Sequence, residues 1–207
     1  MTSFGVVARI RRQLSHDLGR RRIKVGHAGT LDPFATGLMT ILTGKMTKRA
    51  GEFSKLDKVY EATIILGQTS TTGDPEGEIT QTSDKKPAQP EIQKVLDQFL
   101  GDSLQRPPIF SAIKVNGQRA YHLARKGQAV ELPLREIHIY SITLDSYSYP
   151  ELKITAHVSS GTYIRSLAAD IGTNLQTSAY LSALRRTKVG DFSIDQAQTL
   201  ASLGIDS

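Results

Sequence analysis

Apolar and polar positions follow two rhythms along this chain, and each marks a different kind of element. Phe4, Val7, Ile10 and Leu14 recur at helical spacing with Arg9, Arg11 and Arg12 mostly off that face, which predicts a helix from a Ser3 cap to about Leu18, stopped by Gly19. Met46, Ala50 and Phe53 predict an amphipathic helix over 45–56. The run 58–66 is dense in β-branched and aromatic residues and predicts a strand. Between Gly67 and Ala88 the composition turns to Thr, Ser, Gly, Asp and Pro, as in a long surface loop. Pro90 opens a helix over 91–100 that buries Ile92, Val95, Leu96 and Phe99 and ends at Gly101. Asn116-Gly117, between Ile113-Lys114-Val115 and Gln118-Arg119-Ala120, signals a hairpin. Strands are predicted over 135–144 and 151–158, the second alternating Leu152, Ile154, Ala156 and Val158. A helix over 162–174, a short helix over 178–185, a strand over 188–193 and a capped tail helix from Asp195 complete the reading.

There is no internal repeat and no linker, and strands and helices mix without regular βαβ alternation. An α+β fold follows, with a mixed, mainly antiparallel central sheet flanked by helices and loops. At 207 residues one catalytic-sized domain is expected, with a basic flap at about 106–132 carrying Lys114, Arg119, Arg125 and Lys126.

One stretch obeys neither rhythm. Residues 26–48 pack four glycines, an Asp-Pro step, His27 and a terminal basic pair around a short apolar run, and their single carboxylate is Asp32. Taken locally, Asp32-Pro33 is a helix N-cap followed by a first-turn proline. The spacing Gly37-x6-Gly44-Lys45-Met46 fails as a phosphate-binding P-loop, which has four residues between the glycines and Ser or Thr after the Lys.

Composition narrows the chemistry. With no Cys, disulfides, thiolate metal sites and cysteine nucleophiles are excluded, and the five His lack ligand spacing. No apolar run approaches the roughly 18 residues of a membrane span, and a soluble, cytoplasmic, monomeric protein is the simplest expectation. A net charge of +6 favours an acidic partner such as nucleic acid. Arg20-Arg21-Arg22-Ile23-Lys24 carries more cations than a helix dipole asks for, which points to phosphate contact. Arg165 opens a mostly apolar helix, where a cation opposes the dipole unless an anion compensates it, and a buried Asp-Arg pair would keep a carboxylate ionised. Tyr60, among apolar neighbours on its strand, is by default a core tyrosine.

These residues carry a resemblance. Gly26-His-Ala-Gly-Thr-Leu-Asp-Pro-Phe-Ala-Thr-Gly37 is similar to the signature of the TruB family of pseudouridine synthases. Lys58-Val-Tyr60-Glu, Leu66-Gly67 with 69–74, the segment 106–121, Ser160-Gly-Thr-Tyr-Ile-Arg165-Ser-Leu-Ala and Ala179-Tyr-Leu-Ser-Ala-Leu184-Arg-Arg-Thr follow in the family's order. The resemblance implies isomerisation of a tRNA uridine, position 55 in the T-arm loop, to its C-glycoside, without cofactor or metal. It implies that Asp32 attacks or deprotonates the ribose, that Arg165 pairs with Asp32, and that Tyr60 stacks on the base and helps remove the C5 proton. Leu184 would line the pocket, His27 would contact the flipped-out nucleotide or fill its vacated place, and Gly29 and Thr30 would bind the substrate beside it. Lys48, Lys114 and Arg119 would touch the RNA backbone. A flipped base needs a stacking aromatic, an apolar wall and a cationic rim, which this set supplies. Two departures accompany the match: the family's Lys-Pro-x-Gly segment does not precede Thr2-Ser3, and the expected chain has no C-terminal PUA-type RNA-binding domain. A guide-RNA-dependent synthase and a non-catalytic tRNA-binding or tRNA-folding module are the alternative readings.

Overall fold

The computed structural model describes residues 1–111, 113–115, 117–120, 123 and 132–205, with the backbone alone for 114, 115 and 119. In chain order the elements are α1 (Ser3–Asp17), β1 (Val25–His27), β2 (Thr36–Gly37), β3 (Ile41–Thr43), α2 (Ala50–Ser54), β4 (Lys58–Leu66), β5 (Gln68–Ser70), β6 (Ile79–Gln81) and α3 (Gln89–Asp97). There follow β7 (Gly101–Gln105), β8 (Lys114–Val115), β9 (Gln118–Arg119), β10 (Arg135–Ser148), β11 (Glu151–Val158), α4 (Ile164–Asn174), β12 (Ala179–Val189) and β13 (Phe192–Ser193). They group into two compact units, one of residues 1–60 and 185–207, the other of residues 61–184.

In the first unit the α1 cap is Thr2, whose extended backbone lets its side chain accept from the Gly5 amide at 3.1 Å. Ser3, the expected cap, lies one residue inside the helix and turns its hydroxyl elsewhere. Strands β1 and β3 pair antiparallel with Val25 opposite Thr43. The helix expected over 45–56 divides into a 3-10 stretch, Gly44–Arg49, and the short α2. There Thr47 Oγ1 returns to the Gly44 carbonyl at 2.8 Å, competing with the α-helical ladder, and Met46 is exposed. The distal half of β12 pairs antiparallel with β13 and parallel with β2, setting Arg186 opposite Gly37. A 3-10 turn, Ile194–Gln196, replaces the tail helix expected from Asp195, and its cap is a Ser193/Gln196 capping box.

In the second unit the strand order is β12, β4, β11, β10, β7. Strands β10 and β11 pair antiparallel with Ile142 opposite Ala156, and β7 pairs antiparallel with the start of β10. Alternation along β4 and β11 buries Ala62, Ile64, Leu66, Leu152, Ile154, Ala156 and Val158. Helix α3 packs on β10 and α4 and buries Ile92, Val95 and Leu96, while α4 buries Ile164, Leu167, Ala168 and Ile171. Each Leu or Ile so buried contributes about 1.5–3 kcal/mol. The segment expected as plain loop over 67–88 contains the β5–β6 hairpin, Gln68 opposite Gln81. The helix expected over 178–185 is strand, because Gln176 and Ser178, at φ 58° and 60°, turn the chain out of α4 into the extended β12. The predicted Asn116-Gly117 hairpin forms β8 and β9, with Lys114 opposite Arg119. Arg125 and Lys126 lie outside the described residues, as do the side chains of Lys114 and Arg119.

Candidate active site

Asp32 sits in the loop between β1 and β3. The expected helix cap is instead a turn: the Ala35 amide donates to the Asp32 carbonyl at 3.0 Å, with Pro33 at the position where its fixed φ favours turning. Three anchors hold this loop in the first unit. The Ser3 hydroxyl donates to the Leu31 carbonyl at 3.1 Å and accepts from the Leu31 amide at 3.0 Å, which is what Ser3 does in place of capping α1. Arg186 Nε donates to the Leu38 carbonyl at 2.9 Å, and Arg186 Nη2 donates to the Gly29 carbonyl at 3.1 Å. The Leu38 amide in turn donates to the Arg186 carbonyl at 2.7 Å. Gly37, at φ 105°, fits this close approach because it has no Cβ; one would stand 2.3 Å from the Arg186 carbonyl oxygen and force the contact to shift.

Tyr60, at the first-unit end of β4, is buried. Burial pushes its hydroxyl above the ordinary phenol range, the Arg186 charge and a hydrogen bond with Arg186 pull it back, and the Asp32 charge pushes it up again. Asp32, Tyr60 and Arg186 therefore form one electrostatic cluster. His27 belongs to the same surroundings: burial, then the Arg186 charge, lowers its pKa, which keeps the imidazole neutral at pH 7. Its Nδ1 is buried with no hydrogen-bond partner among the described residues, a polar atom left available to a ligand. Gly29 and Thr30 follow on the Asp32 loop, Thr30 exposed, and Lys48 is exposed on the 3-10 stretch.

In the second unit Arg165, at the start of α4, is buried and held on three sides. Nη1 lies 3.2 Å from Asp74 Oδ2 and donates to the Thr72 carbonyl at 3.0 Å, while Nη2 donates to the Phe110 carbonyl at 2.9 Å. Asp74 is itself braced, accepting from Thr72 Oγ1 at 2.5 Å and the Glu76 amide at 3.1 Å. The anion that a cation at this helix start calls for is thus supplied, at least in part, by Asp74. Leu184 is buried on β12.

Sequence reasoning missed two residues as functional candidates, Arg186 and Asp74, naming each only as a letter within a motif. For Arg186 the available signal was register: it stands two residues from the apolar Leu184 on a strand, hence on the same face. For Asp74 it was being the single carboxylate of the Thr69–Asp74 segment. Among the described residues no group of three or more His, Asp or Glu side chains converges to hold a metal ion, and no helix is long and apolar enough to cross a membrane.

Comparison with known proteins bears on this arrangement. Residues 15–164 match the family model described as TruB family pseudouridylate synthase (N terminal domain), and residues 165–205 match tRNA pseudouridylate synthase B C-terminal domain. The chain is 48% identical over 202 residues to the tRNA pseudouridine synthase B of Phocaeicola vulgatus, covering 97% of this chain and 86% of that protein. It is 49% identical over 196 residues to the namesake protein of Bacteroides fragilis, covering 94% and 84%. Among solved structures, a chain of a Cbf5-Nop10-Gar1 complex superposes with a TM-score of 0.70 at 29% identity, over 93% of this chain and 46% of that one. A chain of the archaeal box H/ACA sRNP Nop10-Cbf5 complex superposes with a TM-score of 0.70 at 25% identity, over 98% and 49%. This chain spans about half the length of each of those two.

Proposed function

The chain belongs to the TruB family of pseudouridylate synthases, and we propose that it isomerises the uridine at position 55 in the T-arm loop of tRNA to pseudouridine, in the cytoplasm and without a cofactor. The observation that carries this reading is the electrostatic coupling of Tyr60 to both Asp32 and the buried Arg186, with His27 beside the same guanidinium, on the motifs that resemble the family's. The target uridine is flipped from its loop, because its glycosidic bond cannot be reached within the stack. Asp32 attacks the ribose or takes a proton from it, and the N1–C1′ bond breaks with its electron pair leaving on the uracil. The freed base turns and C5 bonds to C1′ as Asp32 is displaced from the ribose or returns the proton it took; the C5 proton is then lost and N1 gains a proton, so the product is an isomer of the substrate and nothing is consumed. Tyr60 stacks on the base and assists removal of the C5 proton. His27, kept neutral, meets the nucleotide through its free Nδ1, with Gly29 and Thr30 beside it. Arg165 pairs with the Asp32 carboxylate and Leu184 lines the base pocket, roles that come from the motif match. Lys48, Lys114 and Arg119 contact phosphate.

The test is release of tritium from C5-labelled uridine in an unmodified tRNA transcript and in its isolated T-arm stem-loop, with no other protein or RNA present. Stoichiometric release from position 55 is expected. Release only when a guide RNA and partner proteins are added would favour the second reading, a guide-dependent synthase, which the likeness to the Cbf5 chains keeps in view. Tight binding without release would favour the non-catalytic module.

A further inference from the structure

We infer that Arg186 is a positioning residue for this reaction: its side chain and its own backbone together clamp both ends of the loop that presents Asp32. The inference rests on the activity proposed above. The guanidinium takes the Gly29 carbonyl at 3.1 Å and the Leu38 carbonyl at 2.9 Å, so a single rigid fork closes a loop that begins three residues before Asp32 and ends six after it. The Leu38 amide to the Arg186 carbonyl, at 2.7 Å, fixes the far end a second time. A side chain at Gly37 would press on the Arg186 backbone and shift the loop, so the loop sits on β12 without slack. The same guanidinium acts electrostatically on Tyr60, coupling the ring proposed to stack on the base to the loop that carries the carboxylate.

Arg186 is 1% exposed, the most voluminous of the fully buried side chains. Burying a guanidinium is costly, and a scaffold that only closed a loop could use a neutral amide. The cation adds a field that reaches three titratable groups: it opposes protonation of His27 and of Lys58 and favours the ionised form of Tyr60. Geometry and field are both directed at the residues assigned to the chemistry.

The experiment compares wild type, Arg186→Lys and Arg186→Gln on a T-arm stem-loop. It measures the single-turnover rate, the RNA dissociation constant and the melting temperature. Lys keeps the charge but loses the fork, and Gln supplies neither the charge nor a fork across the two carbonyls. In both variants the rate is expected to fall on the order of 100-fold, the scale of a misplacement near 1 Å, with RNA affinity held within about twofold. Gly37→Ala disturbs the clamp from the loop side and leaves the buried cation in place. It should lower the rate in the same way, and it decides the matter if the Arg186 variants do not fold. A folded Arg186→Lys or Gly37→Ala protein with a wild-type rate would overturn the inference. So would parallel loss of rate, affinity and melting temperature, the signature of scaffold alone. Wild type that releases no tritium would instead overturn the proposed activity, an outcome separate from either.

Discussion

Lys58 gives the fold a pH dependence that can be worked out in advance. It is buried on β4, and its Nζ donates to the Ser54 carbonyl at 2.7 Å and to the Leu56 carbonyl. Burial first, then repulsion from Arg186, pushes its pKa down to about 8, while Asp57 acts the other way. In the unfolded chain the ordinary value is 10.5. The folded state therefore releases a proton near pH 8 that the unfolded chain keeps until about 10.5, and in that window the unfolded state binds more protons. Stability consequently rises with pH across it. The cost of the buried charge is fully present below pH 8 and is on the order of 3 kcal/mol. Linkage applied to these two values gives a gain on the order of 1 kcal/mol between pH 7 and pH 9. Urea unfolding of wild type and Lys58→Met at those two pH values isolates the effect. Met removes the titration, and the absence of hydrogen bonds to two carbonyls shifts its absolute stability but not its slope. Wild type should gain on the order of 1 kcal/mol more than Lys58→Met over that interval. Parallel stability curves for the two proteins would refute the buried, charge-repelled lysine.

Asp74→Asn takes the carboxylate from a buried Arg165, and urea unfolding should show a loss of up to about 3 kcal/mol, moderated by the carbonyls that also hold the guanidinium. An unchanged midpoint would mean that the pair contributes nothing to the fold. Tyr60→Phe keeps the ring and loses the hydroxyl, so RNA binding should persist while tritium release slows; equal losses in both would assign the hydroxyl to binding. Lys114→Ala with Arg119→Ala should reduce the slope of log affinity against log salt by about 1 for each phosphate no longer neutralised, measured by filter binding from low to moderate salt. An unchanged slope would show that these two cations face solvent in the complex.

The parts of the fold legible in the sequence were those whose burial runs on one period. Strand β11, with Leu152, Ile154, Ala156 and Val158, is one-sided over its whole length, and so is helix α3 with Ile92, Val95 and Leu96. The 178–185 stretch misled because Leu181 and Leu184 sit three apart, as on a helix. What makes it strand lies outside its own periodicity, in the left-handed Gln176 and Ser178 and in pairing across the sheet. The β5–β6 hairpin hides in a polar segment because its residues are half-buried or exposed, leaving no apolar face to count. At the candidate site the motif brought out Asp32, Tyr60 and His27, whereas local chemistry alone made Asp32 a helix cap, which the turn at Pro33 contradicts. Arg186 stayed hidden because it fell between a helix expected over 178–185 and a strand expected over 188–193, where a cation reads as surface. Only hydrogen bonds to carbonyls 148 and 157 residues away turn it inward.

The central claim is that the Asp32 loop is the working part of a uridine isomerase. Its most direct test is tritium release from C5-labelled uridine in a T-arm stem-loop by wild type and by Asp32→Asn, under single-turnover conditions with enzyme in excess. Wild type should release one tritium per stem-loop and leave a C-glycoside. Asp32→Asn should bind the RNA with similar affinity and release none. Release by Asp32→Asn at a rate near that of wild type would contradict the account.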